Sequence, residues 1–184
     1  MSRIAVIDTE TTWDDDVMSI GVVVADDRHF SEIAFEYYII DPIYKKGGMF
    51  SNTLMIRGLK PNVCSRRDAI MDIRRLLISL DVSKIFAYNA CFDKRHLPEL
   101  FDYTWHDIMK VAAYKQYNKK IPDDMNLCRT GRIRSGYGVE EIIRLLSGNA
   151  GYCEYHNAVM DAKDELKLMQ LLNLPISMYS HTTV

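Results

Sequence analysis

The sequence predicts an α/β fold in which helices pack on a mixed β-sheet. Two observations support this prediction: strand-type segments fill the first 40 residues, and segments with helical periodicity dominate from residue 91 onward. The chain has 184 residues, of which 48% are hydrophobic, so it is long enough to bury one core. We therefore predict a single domain over residues 1–184.

The predicted sheet begins with three strands that follow one another closely. Residues 3–8 are a nearly continuous apolar run, as in a central strand buried on both faces. Residues 17–25 are β-branched and apolar, and residues 29–40 partly alternate, so we expect an antiparallel meander. The stretch KIFAY, residues 84–88, predicts a fourth strand.

Helical periodicity predicts five helices. The first covers residues 67–80, where Ser65 can cap the start and apolar residues recur at Ile70, Ile73 and Leu77. The other four are predicted, between Gly and Pro breaks, at residues 92–100, 105–117, 138–147 and 157–172.

Charge and cysteine content argue against several functional classes. The chain carries 23 Lys and Arg and 25 Asp and Glu, so no global basic field indicates nucleic acid or an anionic membrane. Its four cysteines are widely separated, which predicts reduced thiols rather than a structural zinc site. Neither a signal peptide nor an apolar run of about 18 residues is evident. We therefore expect a soluble cytoplasmic protein that does not bind membranes.

Two carboxylates stand at the end of the first predicted strand. Asp8 and Glu10 are two positions apart, and side chains at that spacing on a strand share a face. Both can therefore point to the same place. A strand end and a turn are ordinary positions for acids, so this pair is informative only if other acids converge on it.

Two further acids occur where predicted helices begin. Asp93 follows the fourth strand in the stretch NACFD, residues 89–93, and Asp161 opens the last helix, five residues after His156. Ordinary roles are open to both, since Asp93 would complement a helix dipole and Asp161 would be a solvated acid. At about 100° per residue, His156 and Asp161 on one helix would point about 140° apart. We therefore expect His156 in the loop before that helix.

These three groups resemble the three motifs of the DEDDh family of 3′ to 5′ exonucleases, the DnaQ-like proofreading group. DTETT, residues 8–12, resembles the first motif, NACFD resembles the second, and His156 with Asp161 resembles the third. Order and separation agree over residues 3–172, which leaves a short C-terminal tail. The resemblance implies a ribonuclease H-like fold with a central mixed five-stranded sheet and helices on both faces.

The resemblance also implies a catalytic site with two metal ions. Asp8, Glu10 and Asp161 would bind the first cation, and Asp8 would bridge to a second cation near Asp93. Oxygen ligands suit Mg²⁺ or Mn²⁺. His156 would be the general base, because the unperturbed imidazole pKa of ~6.5 lies near working pH.

Substrate contacts follow from the same resemblance. Thr9, Glu10 and Thr11 would offer backbone N–H groups to the terminal nucleotide, and Asn89 belongs to the second motif. Phe92 would stack on a terminal base or sugar, with core packing as an equal alternative. The basic loop at residues 126–138 holds three arginines that would grip phosphates if they are not simply solvated: Arg129, Arg132 and Arg134.

Two features depart from the family pattern. Trp13 is followed by Asp14, Asp15 and Asp16, which would repel phosphate unless they face solvent or hold additional cations. Of the two, we expect a solvated turn. Arg57 stands where many relatives have His, which puts the substrate contacts of that segment in doubt. Neither departure touches the predicted catalytic residues.

The implied activity is a metal-dependent 3′ to 5′ exonuclease acting on single-stranded or frayed nucleic acid, with DNA favoured. It would release nucleoside 5′-monophosphates. Two alternatives stay open: trimming of RNA or oligoribonucleotides, and a catalytically silent module that binds nucleic acid or a protein. The near-neutral charge favours short or single-stranded substrates. A polymerase is the expected protein partner if the chain is an editing subunit rather than a separate enzyme.

Overall fold

The fold is built on one mixed sheet. The computed structural model describes residues 2–184, so Met1 of the predicted domain lies outside the described residues. The strands of the sheet are β1 (Arg3–Thr11), β2 (Val17–Asp26), β3 (Glu32–Ile40), β4 (Asn62–Cys64), β5 (Val82–Ala87) and β6 (Thr104–Asp107). Their order is β4-β3-β2-β1-β5-β6. β1, β2 and β3 form the predicted antiparallel meander, whereas β5 and β6 run parallel to β1 and β4 runs parallel to β3.

The helices of the described residues are α1 (Arg66–Ser79), α2 (Cys91–His96), α3 (Met109–Ala112), α4 (Val139–Ser147) and α5 (Ala158–Leu172). The predicted cap of α1 is present, since the Ser65 hydroxyl accepts a hydrogen bond from the Asp68 N–H at 3.2 Å. Short 3₁₀ turns lie at Ile43–Lys46, Ser51–Thr53, Pro98–Leu100 and Ile176–Thr182. Within residues 2–184, no helix has both the length and the apolar character needed to cross a membrane.

Helices cover both faces of the sheet, as the resemblance implied. Alternate residues of β1 point to opposite faces, so Ile4 and Val6 pack in the cluster that contains α4 and α5. Ala5 and Ile7 face the other cluster, to which α1 contributes its buried residues. β1 is therefore buried on both faces, as its continuous apolar sequence predicted.

The prediction of five strands was wrong by one, because the sheet has six. β4 has only three residues, which is too short to show the alternation that identifies a strand. In β6, Trp105, His106 and Asp107 are all buried, so no polar face marks the strand either.

The helix predicted at residues 105–117 was also wrong, except over residues 109–112. That segment begins as β6 and continues into α3, which has four residues. Pairing of Ile85 with Trp105 extends the sheet beyond β5, and this tertiary contact overrides the local pattern. The segment after residue 172 is folded too, because Tyr179 is fully buried and the Val184 N–H donates to the Trp105 carbonyl.

This topology brings the predicted site together at one edge of the sheet. β1 and β5 are parallel neighbours, so their carboxyl ends lie at the same edge. α2 begins shortly after β5 and carries Asp93 in its first turn. α5 packs against β1 and β2 and carries Asp161 in its first turn.

Candidate metal centre and active site

Three carboxylates meet at the end of β1. Asp8, Glu10 and Asp161 each offer one oxygen atom, and these atoms all lie within 4.8 Å of one another. Glu10 and Asp161 are only 7% and 6% exposed, and Asp8 is half-buried. Among the atoms of residues 2–184, the Asp161 Oδ1 atom has no hydrogen-bond partner. An unpartnered buried carboxylate oxygen is costly unless something else, such as a cation, binds it.

The strand periodicity explains how β1 supplies two of these acids. Asp8 and Glu10 continue the face of Ile4 and Val6, which is the face that α5 covers. The hydrophobic side chains hold the helix, and the two acids lie where the strand ends. The sequence therefore places both carboxylates under the first turn of α5.

The start of α5 is fixed by Asn157, which is fully buried. Its side chain caps the helix by accepting from the Met160 N–H. The same amide donates to the Tyr37 hydroxyl at 2.9 Å and to the Thr53 carbonyl at 2.7 Å. These bonds orient the first helical turn, and with it Asp161.

Asp93 lies beside the same end of β1 and is 2% exposed. Its Oδ1 atom accepts hydrogen bonds from the Thr9 N–H at 3.0 Å and from the Thr9 hydroxyl at 2.8 Å. Thr9 points to the opposite face from Asp8 and Glu10, so these bonds join α2 to β1. The Thr9 N–H thus already has an acceptor in Asp93. Its predicted donation to a terminal nucleotide stays a prediction.

Burial and mutual repulsion perturb all four acids. Burial, with the charges of Asp93 and other neighbouring carboxylates adding to it, raises the pKa of Asp8 well above its usual range. Burial also raises the pKa of Glu10 to about 7 and that of Asp93 to about 7, although the Thr9 hydrogen bonds oppose the shift at Asp93. For Asp161, burial and then the charges of Glu154 and Glu10 raise the pKa to about 9. The cluster is therefore electrostatically strained without a compensating positive charge.

A hard divalent cation fits this group of ligands. Carboxylate oxygens are the ligands that Mg²⁺ and Mn²⁺ prefer, and the three converging residues offer neither thiolate nor imidazole. A cation would pair with the unpartnered Asp161 oxygen and would offset the repulsion among the acids. A cluster of acids with perturbed pKa values is also typical of functional sites.

His156 lies in the loop before the last helix, as predicted, because α5 begins at Ala158. The residue is exposed, and its backbone has the left-handed φ of 53°. Its imidazole stacks on the Phe50 ring, with 4.3 Å between ring centroids and 18° between planes. The assignment of His156 as general base stays a prediction.

A cleft of about 360 Å³ opens beside Glu10. Phe92 and Thr11 line it, which is consistent with their predicted contacts to substrate. The lining as a whole comprises Thr9, Glu10, Thr11, Thr12, Trp13, Asp15, Met49, Phe50 and Phe92. Asn89 does not line this cleft. It has a left-handed φ of 63°, and its N–H donates to Asp107 Oδ1 at 3.0 Å.

The acidic turn after Trp13 is exposed, as expected, but it is also ion-paired. Asp16 lies 2.6 Å from the Lys46 ammonium group. Asp15 lies 3.1 Å from the His96 Nε2 atom and 3.4 Å from Arg95. Lys46 and Arg95 therefore offset part of the repulsion that this turn would exert on phosphate.

The three arginines of the basic loop are not drawn into the acidic cluster. Arg129 and Arg134 are exposed, and the Arg132 guanidinium group lies over the Tyr137 ring at 4.5 Å from its centroid. Their contact with phosphate stays a prediction.

Glu165 is a buried acid near the site that was not predicted from the sequence. This residue lies one helical turn after Asp161 and is 2% exposed, and its Oε2 atom has no hydrogen-bond partner among the described residues. Burial and then the charge of Asp93 raise its pKa well above the usual range. The spacing of four residues from Asp161 was the available signal, because residues i and i+4 share a helix face.

Comparison with solved structures identifies the fold. The chain resembles a 3′-exonuclease that recognises the 3′ end of a histone mRNA stem-loop, with 13% identity and a TM-score of 0.66. That alignment covers 95% of this chain but only 65% of the other. The nuclease domain of 3′hExo, a DEDDh family member bound to rAMP, has 13% identity and a TM-score of 0.64, with 92% and 90% of the two chains covered. Exonuclease X in complex with 5′-overhanging duplex DNA has 16% identity and a TM-score of 0.57, with 97% and 98% covered.

These likenesses show that the chain shares the ribonuclease H-like fold of these 3′-exonucleases, one of which is a DEDDh family member. No protein-family model matches the sequence, and no curated protein matches it significantly. At identities below 25%, the solved structures establish the fold, and the activity has to be argued from the site itself.

Proposed function

We propose that this chain is a metal-dependent 3′ to 5′ exonuclease that hydrolyses phosphodiester bonds at the 3′ ends of single-stranded or frayed nucleic acid. The observation that carries the proposal is the convergence of Asp8, Glu10 and Asp161 within 4.8 Å, in a fold shared with 3′-exonucleases. Asp93 is buried at the same strand end. In this proposal residues 1–184 form one exonuclease domain.

The carboxylates would hold two divalent cations of the Mg²⁺ or Mn²⁺ type. Asp8, Glu10 and Asp161 would bind one cation, while Asp8 and Asp93 would share the other. Two such cations lower the pKa of a bound water and stabilise the charge that develops on the phosphoryl and leaving oxygens. The protein contributes a rigid arrangement of ligands, since the hydrogen bonds of Asp93 join α2 to β1 and those of Asn157 join the start of α5 to β3.

The remaining residues of the site would move the proton and position the substrate. His156 would accept a proton from the attacking water through an imidazole nitrogen. Phe92 would stack on the terminal base or sugar, because an aromatic face binds any base. Thr9, Thr11 and Asn89 would contact the terminal nucleotide.

The geometry of the cleft favours a single strand. Apolar side chains, among them Phe50 and Phe92, line it together with Glu10, which suits unstacked bases rather than a base-paired helix. The related solved structures include complexes with DNA and with rAMP, so both polymers are candidate substrates. The cytoplasmic location and a polymerase partner stay predictions from the sequence.

Degradation of end-labelled oligonucleotides tests the proposal. Single-stranded DNA and RNA carrying a 5′ label should shorten one nucleotide at a time from the 3′ end when Mg²⁺ or Mn²⁺ is present. Asp8→Ala should abolish this laddering, whereas Asp124→Ala, which removes an exposed acid, should not. Laddering that survives in Asp8→Ala would mean that a contaminant is responsible.

A further inference from the structure

His156 is held by a short segment, residues 50–53, whose Phe50 also lines the cleft. Besides the stack on Phe50, the Thr53 hydroxyl donates to the His156 carbonyl. The next residue, Asn157, donates from its side chain to the Thr53 carbonyl at 2.7 Å. Residues 50–53 therefore contact both the ring and the backbone of the histidine loop.

The backbone of His156 needs this support. Its φ of 53° lies in the left-handed region, which residues other than glycine seldom adopt unless surrounding contacts hold them there. The ring is exposed, and no side chain of residues 2–184 bonds to its nitrogen atoms. Phe50 is thus the contact that limits rotation of the imidazole, because stacking occupies one ring face and leaves the nitrogen-bearing edge open.

The segment that carries Phe50 is itself fixed to β1. The backbone of Gly48 approaches β1 so closely that a Cβ atom there would lie 2.3 Å from the Thr11 carbonyl oxygen. The Ser51 hydroxyl donates to the Gly48 carbonyl at 2.8 Å, which stiffens the turn. Phe50 also packs against the main hydrophobic core. These contacts fix the position of the Phe50 ring relative to the end of β1.

We propose that Phe50 is the positioning residue for His156, holding the imidazole beside the cleft that Phe50 and Glu10 both line. This inference rests on the proposed exonuclease function. Phe50 does not touch the reacting atoms in this scheme. It acts through His156, the proposed general base. A terminal nucleobase that enters the cleft would meet the Phe50 ring, which also orients the His156 imidazole.

Kinetics of Phe50 variants test the catalytic consequence. Phe50→Leu keeps the site apolar but removes the aromatic face, so kcat should fall about 10- to 100-fold while KM changes little. Phe50→Tyr keeps the face and should restore most of kcat. Phe92→Leu is the matched control, because Phe92 lines the same cleft but its ring contacts His96 instead. It should raise KM more than it lowers kcat.

Proton NMR of the histidine rings tests the contact independently of activity. The His156 ring protons, assigned by comparison with His156→Ala, should shift downfield in Phe50→Leu because the ring-current shielding is lost. They should stay in place in Phe50→Tyr and Phe92→Leu. Thr53→Val, which removes one backbone anchor, should shift them partly and provides a second test if Phe50→Leu folds poorly.

The two assays separate the inference from the function on which it rests. Wild-type protein that shortens no oligonucleotide would overturn the proposed function, but a shifted His156 resonance in Phe50→Leu would still support positioning by Phe50. An unshifted resonance in a folded Phe50→Leu protein would overturn the positioning role. An unchanged kcat in that variant would do the same.

Discussion

Gly21 of β2 lies directly against the first residue of α5, Ala158. A Cβ atom at Gly21 would sit 2.2 Å from the Ala158 carbonyl oxygen, a distance at which backbone has to move. Gly21 also pairs with Asp8 across the two strands. The close approach of helix and strand at this glycine is what allows Asp161, on the first turn of α5, to reach the acids of β1.

Replacing Gly21 with Ala should therefore damage the site and the fold together. We expect the free energy of unfolding to fall by about 3 kcal/mol, at the upper end for overpacked sites, because helix backbone rather than a flexible side chain blocks the methyl group. Nuclease activity should be lost, since displacement of α5 moves Asp161 away from Asp8. Urea denaturation and the oligonucleotide assay measure the two effects.

Gly151→Ala is the matched control. At Gly151 the nearest atom to an added Cβ lies at 3.6 Å, an ordinary contact, so stability and activity should be close to wild type. Retention of full activity by Gly21→Ala would show that the contact between β2 and α5 does not position Asp161.

The hydrogen bonds between Thr9 and Asp93 lead to a second prediction. Two substitutions of Asp93 separate the effect of its charge from the effect of its hydrogen bonds. Asp93→Asn keeps an oxygen that accepts from Thr9 but removes the buried carboxylate charge. Burial raises the pKa of the Asp93 carboxyl group to about 7, so this charge is present at pH 8. At pH 8 in EDTA this variant should be more stable than wild type. Asp93→Ala loses both hydrogen bonds and should be less stable than Asp93→Asn by about 1–3 kcal/mol.

Both substitutions should abolish metal-dependent hydrolysis, because neither retains a carboxylate for the second cation. Thermal unfolding in EDTA and the oligonucleotide assay give the two measurements. If Asp93→Asn were active and Asp93→Ala inactive, Asp93 would serve only to hold Thr9, and its place in the metal site would be wrong.

Local patterns in the sequence were sufficient to predict most of the elements that carry the site. The apolar run before Asp8 predicted β1, and helical periodicity predicted α5 with His156 in the loop before it. Both signals depend on residues close together in the chain. β6 was missed because its burial comes from pairing with β5 and from the C-terminal segment, neither of which leaves a periodic pattern.

Features that depend on contacts between distant segments could not be predicted in this way. Phe50 and His156 are 106 positions apart in the chain, and nothing local to either residue indicates that their rings stack. Helix periodicity places Glu165 on the same face of α5 as Asp161 but does not say how deeply it is buried. An acid in solvent and a buried acid therefore look alike in the sequence. The ion pair of Lys46 with Asp16 also joins distant positions of the chain, so it could not be predicted from local sequence.

The ion pair between Lys46 and Asp16 leads to a third prediction. Without Lys46, the acidic turn beside the cleft would lose its nearest cation and would repel a polyanionic substrate. Lys46→Ala should therefore raise KM about two- to fivefold at low salt with little change in kcat, and the effect should shrink as salt screens the charges. Steady-state kinetics at two ionic strengths measure this change.

Two variants accompany that measurement. Lys45→Ala removes the neighbouring lysine, which pairs with Asp41 instead, and should leave KM close to wild type. Adding Asp16→Asn to Lys46→Ala removes the closer of the two acids that Lys46 pairs with and should restore part of the affinity. Equal effects of the two lysine variants would show that general surface charge, and not this turn, controls binding.

The raised pKa values of the acidic cluster make a fourth prediction about stability. A carboxyl group whose pKa is raised on folding binds its proton more tightly in the folded state, so the folded state loses stability as pH rises from the unfolded pKa through the folded one. For Asp161 that window runs from its usual value near 3.8 to about 9. Burial lowers the pKa of His106, so this residue makes the folded state more stable as pH rises toward about 6.5. Stability is therefore best compared between pH 7 and 9, where His106 is largely neutral in both states.

In EDTA the melting temperature should fall between pH 7 and 9, and Asp161→Asn should reduce that slope because it removes the group with the pKa of about 9. Mg²⁺ or Mn²⁺ should raise the melting temperature of wild type most at the alkaline end, since the cation binds the deprotonated carboxylates and competes with protons. Asp161→Asn should gain little from either ion. Differential scanning calorimetry across this range checks the slopes. A melting temperature that rises with pH in EDTA, or a metal effect that is equal in wild type and Asp161→Asn, would contradict a cation site built on Asp161.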